Sequence, residues 1–213
     1  MAPAITQLVY LHGFRSSPKS AKAVRTAAWV EHHHPQLRWW CPQLPPSPRA
    51  AMDLLEQGLR GAPGDTLGII GSSLGGFYAT ALAQRLHCRA VVLNPAVDPA
   101  RDLVRHIGQL QAWHSDEQFY FRAEYIDELR AIGAPELSAP QKFLAIIAKG
   151  DEVLSWTEMA QRYGACRIEL LEGGDHALSD YDRHLPSVMA FLGLPLRTPS
   201  APASTPPAPR RPR

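Results

Sequence analysis

Cysteine is scarce in this chain. Cys41, Cys88 and Cys166 are the three thiols among 213 residues, odd in number and far apart. No C-x-x-C pair occurs, which leaves neither a disulfide framework nor a zinc site, and each thiol reads as a small core residue. Long apolar runs are also missing, and none approaches the ~20 residues that cross a bilayer. The first apolar stretch, in "MAPAITQLVYLHGF", has no basic segment before it and runs straight into His12-Gly13. It reads as a strand rather than a signal peptide, and a cytoplasmic protein without a membrane span is expected. The glycine-rich segment after Leu67–Ile70 has no Gly-Lys-Ser/Thr and no G-x-G-x-x-G, the two common phosphate-binding patterns. His32-His33-His34 has the chemistry of metal ligands but falls at a helix end before Pro35, and reads as a solvated terminus. No metal or cofactor is expected.

A real excess of charge is lacking too. The formal net charge is +2, but the segment from Arg197, "RTPSAPASTPPAPRRPR", holds four arginines and no acid. Without it, 18 basic side chains face 20 acidic ones, a net of −2. The folded part is therefore mildly acidic, and no nucleic-acid partner is expected. Proline content and the loss of apolar periodicity mark 197–213 as a disordered, passive tail. Residues 1–196, in a chain that is 45% hydrophobic, are enough for one substantial core.

What is present is alternation. Apolar strands are expected at Ile5–Leu11, Leu37–Cys41, Leu67–Ile70, Ala90–Leu93, Phe143–Ala148 and Arg167–Leu171. Helices are expected over Ser20–His32, from Pro48 behind a Ser47 cap, over Leu74–Leu86, over Ser155–Tyr163, and over Asp180–Leu192 behind a Ser179 cap. Short apolar strands separated by helices imply a mostly parallel sheet of about six strands, covered on both faces. Sites in such sheets form beyond the carboxyl ends of the strands. Those ends carry His12-Gly13-Phe14, Ser73, Asn94-Pro95, Asp151 and Asp175-His176.

Gly71-Ser72-Ser73-Leu74-Gly75 fits G-x-S-x-G at a strand-to-helix junction. In that arrangement the central serine sits on a strained turn that exposes its hydroxyl, and flanking glycines relieve the crowding. Ser73 is then the candidate nucleophile and Ser72 a spacer. A serine hydroxyl needs a base, and a histidine held by a carboxylate supplies one. Downstream, "IIAKGDEVLSW" and "LLEGGDHALSD" end two strands with Asp151 and His176. The order Ser73, Asp151, His176 is that of α/β-hydrolases. His12 is an alternative base and Asp98 an alternative acid. Glu152 reads as a neighbour of the acid, and Asp175 as pointing away from the histidine beside it. The oxyanion needs two donors, expected from the backbone N–H groups of Phe14 and Leu74.

The blocks "YLHGFRSSPKSAKA", "PQLPPSP", "LGIIGSSLGGFYAT", "VVLNPAV", "GDEVL" and "EGGDHA" resemble the YqiA-like bacterial esterases of the α/β-hydrolase superfamily. They spread over roughly residues 8–194. The resemblance implies a small α/β-hydrolase with serine esterase activity and matches Ser73, Asp151 and His176. Asp175 stands where asparagine is expected in many relatives. The expected substrate is a small-molecule ester, with a thioester as the alternative, and a non-catalytic binding protein on the same fold as the reading from another class. Acyl-chain length and oligomeric state are not legible.

More than 40 residues separate Ala90–Leu93 from Phe143–Ala148, too many for one crossover helix. Residues 98–141 are therefore expected to form a small cap insertion beside Ser73. Within it, Leu103, Val104, Ile107 and Leu110 fall on one helical face. Trp113, Phe119 and Phe121 are the candidate walls of an acyl pocket.

Overall fold

A computed structural model describes residues 5–133, 136–194 and 196. The tail expected to be disordered lies outside the described residues. The elements run β1 (Gln7–Leu11), α1 (Ala21–His33), β2 (Arg38–Trp40), α2 (Pro48–Gly58), β3 (Leu67–Ser72), α3 (Leu74–Leu86) and β4 (Arg89–Leu93). Then come α4 (Pro99–Leu103), β5 (Gly108–Gln111), β6 (Gln118–Phe121), α5 (Glu124–Ile132), β7 (Phe143–Ala148), α6 (Trp156–Arg162), β8 (Arg167–Leu171) and α7 (Tyr181–Phe191).

Six strands form one sheet in the order β2-β1-β3-β4-β7-β8, and every pair is parallel. β1, β3 and β7 are buried along their whole length, which is why they read as unbroken apolar runs rather than alternating ones. Their side chains still alternate between two cores. Val9, Ile69, Val92 and Ile147 pack with α2, α3 and α6. Leu8, Tyr10, Ile70, Val91 and Ile146 pack with α1 and α7. Helix starts follow local chemistry: Ala50 N–H donates to Ser47 Oγ at 3.2 Å, and Pro48 sits in the first turn, where its missing N–H has no partner to lose. Among the described residues, no helix is long and apolar enough to cross a membrane.

Two expectations are corrected. Asp180, not Ser179, occupies the cap position of α7, because Asp175 holds Ser179 by both its N–H and its hydroxyl. The helix expected through Leu103–Leu110 stops early. α4 ends at Leu103, a single 3-10 turn covers Val104–His106, and β5 pairs antiparallel with β6. Val104 and Ile107, placed on an inner helical face by periodicity, are 50% and 40% exposed. An i, i+1, i+4, i+7 apolar spacing near a glycine fits a turn followed by a strand as well as it fits a helix, and Gly108 takes a φ of 136° at the junction.

Candidate active site

β3 ends at Ser72 and α3 begins at Leu74, so Ser73 makes the turn alone. It does so at φ 55° and ψ −121°, a region a non-glycine residue occupies only when its surroundings impose it. Those surroundings are visible. Ser73 N–H donates to Leu93 O at 3.0 Å, and Ser73 O accepts from Gly76 N–H at 2.9 Å and Ala96 N–H at 3.1 Å. A Cβ on Gly71 would sit 2.2 Å from Gly75 O, and one on Gly75 would sit 2.0 Å from Leu11 O. Glycine is thus required on both sides for packing, not for flexibility. Ser73 stands at the cap position of α3, yet its side chain makes no cap bond.

The hydroxyl turns to His176 instead. Ser73 Oγ lies 3.0 Å from His176 Nε2, and His176 Nδ1 lies 2.8 Å from Asp151 Oδ2. With Asp151 ionised, Nδ1 carries the proton it donates to the carboxylate, which leaves the Nε2 lone pair to accept Ser73 O–H. The Asp151 side chain is 0% exposed. Its other oxygen accepts the N–H groups of Val153 and Leu154, each at 2.8 Å. The carboxylate is therefore fixed from three directions and cannot rotate away from the imidazole.

The competing residues have other work. His12 is buried, accepts Leu44 N–H on Nε2 at 3.1 Å and lies 3.0 Å from Gly13 O through Nδ1. Burial holds its pKa below the ordinary histidine value. Asp98 caps α4 by accepting Arg101 N–H at 3.1 Å. Glu152 accepts His176 N–H at 3.0 Å, bracing the loop from the acid's side. The Asp175 carboxylate faces Ser179 rather than the imidazole, and those two bonds hold its pKa below the ordinary carboxylate value. His34 reaches Leu194 O with Nε2 at 3.3 Å.

Gly13 brings the β1–α1 loop against the serine: a Cβ there would lie 3.3 Å from Ser73 Cβ. Among the described residues, the N–H groups of Phe14 and Leu74 donate to no carbonyl in the turns around them, and both residues border the cleft that opens over Ser73 and His176. The cleft measures about 770 Å³. Its apolar wall comes from Phe14, Leu74, Leu103 and Leu154, with Trp113 at the lip. Trp113 is 61% exposed. The other two aromatic candidates lie elsewhere. Phe119 borders a second depression of about 330 Å³ that shares Phe14 with the cleft. Phe121 is 1% exposed, packed between the rings of Phe14 and Tyr125 at 5.1 and 5.4 Å. Strand alternation explains the difference, since β6 turns Phe119 and Phe121 inward together, toward Phe14 and away from the cleft.

Two contributors had no assigned role in the sequence reading. Asn94 is fully buried with φ 40°. Its Nδ2 donates to Asp175 O at 2.9 Å and to His176 O at 3.3 Å, while Oδ1 accepts Ala148 N–H at 2.8 Å. It ties the histidine loop to the strand that carries the acid. An asparagine ending an apolar strand is the available signal, because asparagine tolerates positive φ. Lys22 donates from Nζ to Ala177 O, and burial pushes its pKa down to about 8.

The model of an uncharacterised protein family, UPF0227, matches residues 7–193. The chain belongs to UPF0227. This is the family its motifs resemble. Solved structures share the architecture of this UPF0227 chain. A protein from Agrobacterium vitis S4, provisionally classed as a hydrolase, is similar at TM-score 0.69 and 17% identity over 89% of this chain and 91% of that one. Mouse alpha/beta hydrolase domain-containing protein 10 is similar at 0.65 and 15% over 88% of each chain. Carboxylesterase CesB (YbfK) from Bacillus subtilis is similar at 0.56 and 17% over 88% of this chain and 84% of that one. At such identities the likeness is one of fold, and the fold is that of an α/β-hydrolase.

Proposed function

We propose that this chain is a serine hydrolase of carboxylic esters. The observation that carries the reading is the unbroken relay Ser73 Oγ, His176 Nε2, His176 Nδ1, Asp151 Oδ2, with links of 3.0 and 2.8 Å. The fold shared with carboxylesterase CesB supports the same class. In the reaction, Ser73 Oγ bonds to the acyl carbon as His176 Nε2 takes its proton. The carbonyl oxygen becomes an oxyanion held by the Phe14 and Leu74 N–H groups at the positive end of α3. His176 returns the proton to the departing alkoxide, which leaves an acyl group on Ser73. Water, deprotonated by the same imidazole, attacks that acyl group and regenerates the serine. Asp151 keeps the tautomer and stabilises the transient imidazolium.

Residues 98–141 act in this reading as a small cap that supplies the cleft lip. The enzyme works in the cytoplasm, in keeping with its free cysteines Cys41, Cys88 and Cys166. A fluorophosphonate probe is expected to label the wild type and not Ser73→Ala, and Ser73→Ala is expected to lose at least ~10⁴ in kcat. A panel of oxygen esters and thioesters of graded length identifies the preferred bond. Stable labelling of folded Ser73→Ala, or a wild type inert to probe and panel alike, would refute the reading.

A further inference from the structure

The cleft over Ser73 has an apolar wall and a set of cationic side chains. Arg15, Lys22, Arg25 and Arg105 line it, against Asp102 and Glu152. Most of these charges are already engaged. Asp102 meets Arg101 at 2.9 Å, Glu152 accepts His176 N–H at 3.0 Å, Arg25 meets Asp182 at 3.3 Å, and Lys22 Nζ donates a hydrogen bond to Ala177 O. Arg15 and Arg105 meet no carboxylate among the described residues.

Unpaired surface arginines are usually solvated and mobile, but Arg15 is pinned. Its Nε donates to Gln111 O at 2.8 Å, and its backbone carbonyl accepts Trp113 N–H at 2.8 Å. Its guanidinium carbon lies 5.5 Å from the centre of the Trp113 ring. The backbone pays for this placement with a φ of 59°, a conformation that arginine rarely adopts. Both terminal nitrogens, the planar fork that suits an oxyanion, remain without a protein partner among the described residues. Arg105 borders the same cleft with its Nε 3.4 Å from His106 Nε2. The His106 ring packs against Phe14, tilted by 52° with the centroids 5.6 Å apart. Burial, then Arg105 and Arg15, hold the His106 pKa below its ordinary value, so the two guanidiniums act on one ring beside a proposed oxyanion donor.

We propose that Arg15 and Arg105 form an anion anchor, and that the substrate is an ester carrying a carboxylate or phosphate several bonds from its scissile carbonyl. This rests on the hydrolase reading for the word ester. The apolar wall takes the uncharged part of the molecule, and the two arginines hold its charged end at the cap side of the cleft. Neutral esters lack that second contact.

Binding to Ser73→Ala tests the anchor without turnover. Calorimetry at low ionic strength compares monomethyl glutarate with dimethyl glutarate, and O-acetyl glycerol 3-phosphate with monoacetylglycerol. At least one anionic ester is expected to bind about tenfold more tightly than its neutral counterpart, and the advantage shrinks with added salt. The member that shows it identifies the anion as carboxylate or phosphate. Arg15→Gln and Arg105→Gln, each added to Ser73→Ala, are expected to weaken the anionic ligand several-fold more than the neutral one. Arg105 is exposed, so its replacement tests the anchor even if Arg15→Gln disturbs the loop. Equal binding within both pairs, or equal weakening of anionic and neutral ligands, would overturn the proposal. If charge preference holds while the wild type cleaves none of the esters, the anion anchor stands and the ester reading fails.

Discussion

The turn at Ser73 and the hairpin of β5 and β6 both border the cleft, and they differ in what encloses their glycines. Gly75 has Leu11 O and His12 O within 2.7 Å of where its Cβ would be, whereas Gly108 has nothing within 4 Å. The turn is over-determined by the backbone of three strands. Among the described residues, the hairpin's two strands pair with each other alone, and β5 alternates half-buried and exposed residues. A sheet edge fixed by neighbouring backbone beside a lightly held hairpin is a division that, in the proposed reading, puts chemistry on the first and selection on the second.

The sharpest test of that division sets two aspartates against each other. Asp151→Asn, at the sheet edge, is expected to lower kcat by about 10⁴, because the amide favours the wrong imidazole tautomer. Asp98→Asn, at the start of the insertion, loses only a cap preference and stays within about twofold. Steady-state kinetics on a short ester decides it, and the reverse ranking would move the acid into the insertion.

Next come the glycines. Gly75→Ala forces a Cβ into the backbone of β1 and its loop, and is expected to cost at least about 4 kcal/mol in denaturant unfolding. Gly108→Ala meets no neighbour and carries only the strain of its φ, about 1 kcal/mol. Similar losses at both positions would mean that the hairpin is held as firmly as the turn.

The same contrast explains what was legible in the sequence. α3, β7 and β8 have the ends expected of them, because glycine, capping residues and buried apolar runs leave each boundary one physical solution. Ser73, Asp151 and His176 were readable as chemistry-bearing residues at strand ends, since a parallel sheet brings its carboxyl ends together. Asn94 was visible at such an end, but its partners are two carbonyls and an N–H, which have no residue code. The helical reading of Leu103–Leu110 failed for the opposite reason. Leu103, Val104, Ile107 and Leu110 satisfy helical spacing, yet helix formation there lacks a face to bury, and a hairpin held by Arg15 and Phe14 takes its place. Phe121 was readable as apolar, but whether it faces a core or a cleft depends on strand register.

Asn94→Ala extends the test to the loop that carries the histidine. It strands two carbonyls and one N–H in a buried place, and is expected to cost about 3 kcal/mol of stability. It also frees His176 to drift, so kcat should fall about tenfold or more with little change in KM. A stability loss with kcat intact would make Asn94 a brace for the fold and not for the imidazole.

Lys22 braces that loop from the other side, and its test is pH. Burial lowers its pKa from 10.5 to about 8. Between those values the unfolded chain holds a proton that the folded chain has released, so this group makes stability rise with pH across that window. Below pH 8 its charge is a full burden on the fold, and above 10.5 it is none. Compared with Lys22→Met, the wild type is expected to gain about 2 kcal/mol between pH 8 and 10.5 in urea unfolding. A constant difference would mean that Lys22 is as well solvated when folded as when unfolded.

The smallest effect belongs to the cleft lip. Trp113 is largely exposed, so Trp113→Ala should leave stability within about 0.5 kcal/mol of the wild type. Its indole borders the cleft over Ser73, and in the proposed reading it keeps water from the far end of a bound acyl chain. Each methylene shielded there is worth up to ~0.8 kcal/mol, or about fourfold in kcat/KM. Trp113→Ala should therefore lower the preference for longer acyl chains by a few-fold, with the shortest ester changed least. Phe119→Ala, which opens the second depression beside Phe14, should change chain-length preference less than Trp113→Ala does. A graded series of 4-nitrophenyl esters reads both variants at once. If Phe119→Ala shifts the preference and Trp113→Ala does not, the acyl chain runs through the second depression, and the hairpin selects substrate from its inner face rather than from its lip.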